Sequence, residues 1–187
     1  MLTSCRLDEQ KTDSSDLHIF TIGHSTRSAL DFSQLLLAHR VDVLADVRSF
    51  PHSYRNPQFN TETLEVDLSR NGIQYTWVKK LGGRRKGLGA NSLNTCWKNE
   101  SFRNFADYME TNEFRGGIHE LFNLTGEGSV AIMCAELLYW KCHRSLISDF
   151  LKSERCEVTH ILGASHSSEH QYTACARING GKLTYHK

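Results

Sequence analysis

Apolar positions along the chain switch repeatedly between two spacings, and each switch predicts a change between strand and helix. His18-Ile-Phe-Thr-Ile22 reads as a short strand that stops at Gly23-His24-Ser25. Ser28 with Asp31 forms a capping-box pattern, and Leu35, Leu36 and His39 continue the helix it opens. Residues 41–47 form the next strand, whose apolar members are aliphatic or β-branched and which ends in Asp46-Val-Arg48. Residues 49–60 hold both prolines of the chain, Pro51 and Pro57, and so form a stiff, non-helical loop. A helix over 61–71 is closed by Gly72, and residues 73–78 alternate as a strand should.

The second half repeats the alternation. Beyond a loop rich in glycine and basic residues, Phe102, Phe105, Ala106 and Met109 fall at helical spacing, and Ile118, Leu121 and Phe122 do so again. An apolar strand near Val130 ends at Glu136, and Leu146, Ile147, Phe150 and Leu151 predict a helix that starts near Arg144. Residues 158–162 are a last core strand and 182–186 a short edge strand. Strands alternating with helices predict an α/β fold, with a single domain over 18–187 built on a mostly parallel β-sheet flanked by helices, Rossmann-like and three-layered. Its length of 187 residues suits one domain, preceded by a loosely packed polar tail over 1–17.

Composition adds exclusions more than direction. Hydrophobic residues at 39%, charged residues at 23% and a net charge of +1 give no bulk-charge argument for a nucleic-acid or membrane partner. The tail lacks a secretory pattern and no run is long enough to span a membrane, so a cytoplasmic protein with no membrane partner is expected. Six scattered cysteines, Cys5, Cys96, Cys134, Cys142, Cys156 and Cys175, then read as free thiols rather than a disulfide framework. Nothing in the sequence fixes an oligomeric state.

The candidate chemistry lies where predicted strands end. Gly23-His24-Ser25, Asp46 with Arg48, the segment from Leu81 through Arg84 and Arg85, and Cys134 to Glu136 all fall at or beyond a carboxyl strand end, the usual ligand edge of an open parallel sheet. His24, Asp46, Glu136, His143 and Cys142 are the catalytic candidates. Glu136 and Asp46 are read as acid–base groups, with a structural ion pair to Arg48 as the alternative for Asp46. Arg48, Arg84, Arg85 and Arg144 are read as forks for phosphate or carboxylate, Arg144 reinforced by a helix N-terminus. Cys142 beside Arg144 has the setting of an activated thiol, yet neither Cys134–Arg144 nor Cys142–Arg144 matches the spacing of a phosphatase-type loop, and packing is the alternative. No cofactor is predicted; a metal held by Cys134, Cys142 and His143 is the weaker reading, because their spacing is not the close-paired pattern of structural zinc. The basic loop, with Trp77, Trp97 and Tyr75 nearby, offers phosphate and base contacts but matches neither the Walker nor the dinucleotide pattern.

These motifs, in order, resemble those of the domain of unknown function 488 family. The resemblance rests on Thr21-Ile-Gly-His-Ser25, on Asp46-Val-Arg-Ser-Phe-Pro51 continuing through Ser53 and Asn56-Pro-Gln-Phe59, on Leu81-Gly-Gly83, and on Met133-Cys-Ala-Glu136 with Cys142-His-Arg144. It extends from about His18 onward, to Ala176-Arg177 and residues 180–185; it departs at Tyr54, where the family often has arginine. The resemblance implies the α/β architecture and one shared site, to which Gly23, Ser25 and Ser53 belong as substrate-binding candidates, but its name assigns no reaction. The leading expectation is therefore a hydrolase acting on a nucleotide, nucleic acid or other phosphorylated molecule. A non-catalytic nucleotide or nucleic-acid binding module and a thiol redox or metal protein are the alternatives.

Overall fold

The structure, a computed structural model, describes residues 17–187. The tail expected over 1–17, and Cys5 in it, lies outside the described residues apart from Leu17. In chain order the regular elements are β1 (His18–Gly23), α1 (Ala29–Ala38), β2 (Val43–Asp46), α2 (Thr61–Ser69), β3 (Gln74–Trp77), α3 (Glu100–Met109), α4 (Asn112–Leu124), β4 (Val130–Cys134), α5 (Arg144–Ser153), β5 (Glu157–Gly163), β6 (His166–Glu169), β7 (Arg177–Asn179) and β8 (Lys182–Thr184). Ser28 does cap the helix: its hydroxyl accepts from Asp31 N at 3.0 Å and donates to the Asp31 carboxylate at 2.7 Å. Gly72, at φ +72°, supplies the left-handed turn after α2.

Six strands form one sheet in the order β3-β2-β4-β1-β5-β6, parallel except for β6. This is the mixed α/β architecture expected from the alternation. Side chains alternate between its two faces with the strand period of 2. Ile22, Leu44, Ala131 and Met133 pack against Phe32 and Leu36 of α1 and Leu64 and Leu68 of α2. Ile19, Val43, Ala45 and Ile132 face Phe105, Phe114, Leu121, Leu146 and Leu151 of α3 to α5. The result is three layers.

Two expectations fail here. The edge strand expected over 182–186 does not join the main sheet; Lys182–Thr184 pairs antiparallel with Arg177–Asn179 as a separate hairpin. Antiparallel β6, not foreseen, takes the edge, because its sequence His-Ser-Ser-Glu carries no apolar alternation. The expectation that every cysteine is a free thiol also fails: Cys96 and Cys175 form a disulfide across 79 residues, leaving Cys134, Cys142 and Cys156 as buried thiols among the described residues. The bridge ties the loop before α3 to the segment entering the β7–β8 hairpin. No helix of the described residues is long and apolar enough to cross a membrane.

Candidate functional site

The strand ends do converge on one rim, but the alternation of the strands divides their side chains between its two faces. Asp46 points toward the α1–α2 layer and Cys134 toward the α3–α5 layer. Two polar clusters result rather than the single cluster expected.

The first is closed and internal. Asp46, fully buried, accepts from Arg48 Nε at 2.9–3.0 Å, from Arg48 Nη2 at 2.5 Å and from the Tyr75 hydroxyl at 2.8 Å. Arg48 also donates to the Phe59 carbonyl at 2.8 Å and to His24 Nε2 at 3.4 Å. His24 Nδ1 donates to the Ser25 carbonyl at 2.9 Å, and the ring stacks on Phe59 at 4.1 Å. Burial, with Arg48 and Arg144 adding to it, pushes His24 down to about 4, so it is neutral near pH 7. Asp46 and His24 are thus out of reach of a substrate. Their positions serve to hold the rim, with Asp46 in the ion pair that was the alternative reading.

Arg144 behaves in the same way. Expected as an anion fork, it is 1% exposed and folds back from the start of α5 to donate to the carbonyls of Glu136 and Leu137 and to the Thr21 hydroxyl. This pins the β4–α5 loop over the end of β1. Gly23 makes that approach possible, because a Cβ there would collide with the Glu136 carbonyl and the Arg144 guanidinium. Ser25, at φ +51°, donates its N–H to the Ala135 carbonyl at 2.9 Å. Ser53 holds the proline loop through Asn60 Oδ1 and Asn56 N, at 2.6 and 3.1 Å. Arg85 caps the carbonyls of Gly82, Lys79 and Lys80 and lies 3.8 Å from the Tyr108 ring, so its fork is already engaged.

The second cluster is reachable. Cys134 ends β4, Cys142 and His143 precede α5, and their sulfur and nitrogen atoms lie within 4.8 Å of one another. His143 Nδ1 is 3.5 Å from Cys142 Sγ and 4.0 Å from Cys134 Sγ, while Nε2 donates to the Val47 carbonyl at 3.0 Å. Burial works against a thiolate at Cys142, but the Cys134 thiol, His143 and Arg144 outweigh it and push the Cys142 thiol well below its usual range. The bond to Cys142, with burial, pushes Cys134 well above. Such a group can serve as a nucleophile, a redox pair or a ligand set for a soft cation.

Both sulfurs and the imidazole form the floor of a cleft of about 410 Å³ whose walls include Arg48, Phe50, Arg84, Phe102, Glu136 and Lys141. The Glu136 carboxylate is exposed and makes no hydrogen bond or ion pair with any described residue. Arg84 lies over the Phe50 ring at 5.5 Å. Through Gly83, Arg84 and Ser101 the cleft adjoins a second pocket that Arg85 and Lys86 complete. Of the expected residues, Arg48, Arg84, Glu136, Cys142 and His143 meet here. His52, Lys141, Phe50 and Phe102 were not foreseen as site residues. Lys141 carried a usable signal, since it lies between Glu136 and Arg144 in a loop already placed at the rim; His52 and Phe102 lie on separate segments with no pattern to join them.

No curated protein and no solved structure matches the chain. The sequence model of the family described as Domain of unknown function DUF488 matches residues 28–151, from the capping serine of α1 to the last turns of α5, and the chain belongs to that family.

Proposed function

We propose that the protein is a hydrolase of phosphorylated small molecules, nucleotides among them, and that its reaction takes place in the cleft over Cys134, Cys142 and His143. The observation that carries this reading is a carboxylate with no partner among the described residues, Glu136, at a cleft lined by Arg84 and Lys141 and adjoining the Arg84–Lys86 pocket. A volume of about 410 Å³ lies within the range of small-ligand sites. Phe50 and Phe102 give it apolar walls against which a base or other flat group can rest. Arg84, Lys86 and Lys141 would neutralise the phosphate. Glu136 would take a proton from water as its oxygen bonds to phosphorus, and would return it to the oxygen that leaves.

Nucleic acid is the less favoured substrate, because Arg85 of the basic loop is engaged with carbonyls and Tyr108 and adds no free fork to a phosphate track. The proposed setting remains the cytoplasm, in keeping with thiols at Cys134, Cys142 and Cys156; the Cys96–Cys175 bridge is the feature against it.

The test is turnover of a panel of nucleotides, sugar phosphates and simple phosphomonoesters, with nucleosides included to detect glycosidic cleavage as free base. Wild type should release phosphate from at least one member. Glu136→Gln should lower kcat by about 100-fold or more, and Arg84→Ala should chiefly raise KM. Phosphate release that neither substitution alters would remove the cleft from the reaction.

A further inference from the structure

The floor of the cleft has a geometry that its thiols and imidazole do not need for packing alone. We propose that Cys134 Sγ, Cys142 Sγ and His143 Nδ1 bind a thiophilic divalent cation, zinc being the reference ion, with a fourth position open to the cleft. The three atoms lie within 4.8 Å of one another. Zinc bonds of about 2.3 Å to sulfur and 2.0–2.1 Å to nitrogen at a tetrahedral angle set sulfur and nitrogen about 3.6 Å apart. The Cys142 separation from Nδ1 is 3.5 Å already, and that of Cys134 is 4.0 Å, so one sulfur has a few tenths of an ångström to close.

The orientation of the imidazole is the second, independent observation. Its Nε2 donates to the Val47 carbonyl at 3.0 Å, which leaves the Nδ1 lone pair directed at the two sulfurs. A histidine ligand normally donates its other ring N–H in this way, which fixes both tautomer and ring plane. The ring is held further by the edge of Phe105, with centroids 5.0 Å apart, and by the backbone of Gly83, where a Cβ would collide with Nδ1 itself. Two thiolates would balance the charge of a divalent ion, and an imidazole makes up the third bond.

Cys134 closes β4, and Cys142 and His143 lead directly into α5, so the ends of two regular elements flank the site. All three also line the cleft. Three protein ligands with an accessible fourth position is the arrangement of reactive rather than structural zinc. The site therefore stands apart from the phosphate-ester reading, although the two share the cleft.

The experiment uses the full chain, reduced, stripped with a chelator and titrated with zinc chloride against a chromophoric competitor, and in parallel with cobalt chloride. One equivalent of zinc per chain is expected, and cobalt should show thiolate charge-transfer and tetrahedral d–d absorption. Cys142→Ser and His143→Ala should each weaken zinc binding by at least the roughly 10–100-fold that loss of an outer-shell partner costs. Cys156→Ser, which removes a buried thiol elsewhere, should leave it unchanged. The cobalt spectrum of wild type reports thiolate coordination without any variant having to fold. Failure of reduced wild type to take up stoichiometric zinc would overturn the site, as would full affinity in Cys142→Ser; joining of Cys134 to Cys142 by a mild oxidant in such zinc-free protein would mark a redox dithiol instead. Zinc uptake without phosphate release would sink only the hydrolase, and phosphate release by protein that binds no zinc would sink only the metal site.

Discussion

Asp46 and Glu136 look alike in sequence, each closing an apolar strand, and the structure gives them opposite work. Asp46 is fully buried against Arg48 and Tyr75, whereas Glu136 stands exposed at the cleft. Removing one member of a buried ion pair leaves the other charged and unpaired, so Asp46→Ala should cost about 3–5 kcal/mol of stability. Glu136→Gln should change stability by no more than about 0.5 kcal/mol. Urea unfolding midpoints measured at constant slope would check the pair, and the reverse ranking would mean that the carboxylate roles are interchanged. The sequence placed both acids correctly on the rim. It could not separate them, because the face each presents depends on how β2 and β4 pair and on which helices cover each side. Arg144 escaped for a similar reason: its position at the start of a helix was legible, but the backward fold of its guanidinium onto the Glu136 carbonyl requires the close approach at Gly23.

Among the elements, the parallel core was legible to within a few residues because β4 is a continuous apolar run and the other parallel strands carry short apolar or alternating patterns. The carboxyl-terminal region was not. β6 and the β7–β8 hairpin are polar and mostly exposed, and what secures the region is contact rather than pattern. Tyr185 is 2% exposed and donates to the Asp149 carboxylate at 3.0 Å, and Cys175 is bonded to Cys96. Pairing of two cysteines 79 residues apart leaves no local signature. A cross-link of that span removes substantial freedom from the unfolded chain, so its loss should cost roughly 2–4 kcal/mol. Cys96→Ser, and wild type in reductant, should therefore unfold at matching lower urea concentrations, while Cys96→Ser should show no further fall on reduction. Equal stability of oxidised and reduced wild type would show that the bridge adds nothing.

Across the whole molecule a buried hydrogen-bonded chain runs from Arg144 at the rim to Asp149 within α5. Asp149 of α5 accepts from His170 Nε2 at 2.9 Å, His170 Nδ1 accepts from His160 Nε2 at 2.9 Å, and His160 Nδ1 accepts from the Thr21 hydroxyl at 2.7 Å. Thr21 in turn accepts from Arg144 at 3.4 Å, so every donor points from Arg144 toward Asp149. The order holds only while both imidazoles are neutral. His160 also stacks on Tyr139 at 3.4 Å, and burial, with His170 and Arg144 adding to it, pushes it from 6.5 down to about 3. Between those values the unfolded chain holds a proton on this histidine that the folded chain does not, so folding stability is highest above about pH 6.5 and falls as pH drops toward 3. The slope from this group alone is about 1.4 kcal/mol per pH unit. Unfolding free energy measured by urea from pH 7 to pH 4.5 should therefore decline, and His160→Gln, whatever its absolute stability, should decline less steeply by about that slope. Identical pH slopes in the two proteins would mean that His160 accepts a proton in the folded state, its Nδ1 then donating to the Thr21 hydroxyl while Nε2 still donates to His170.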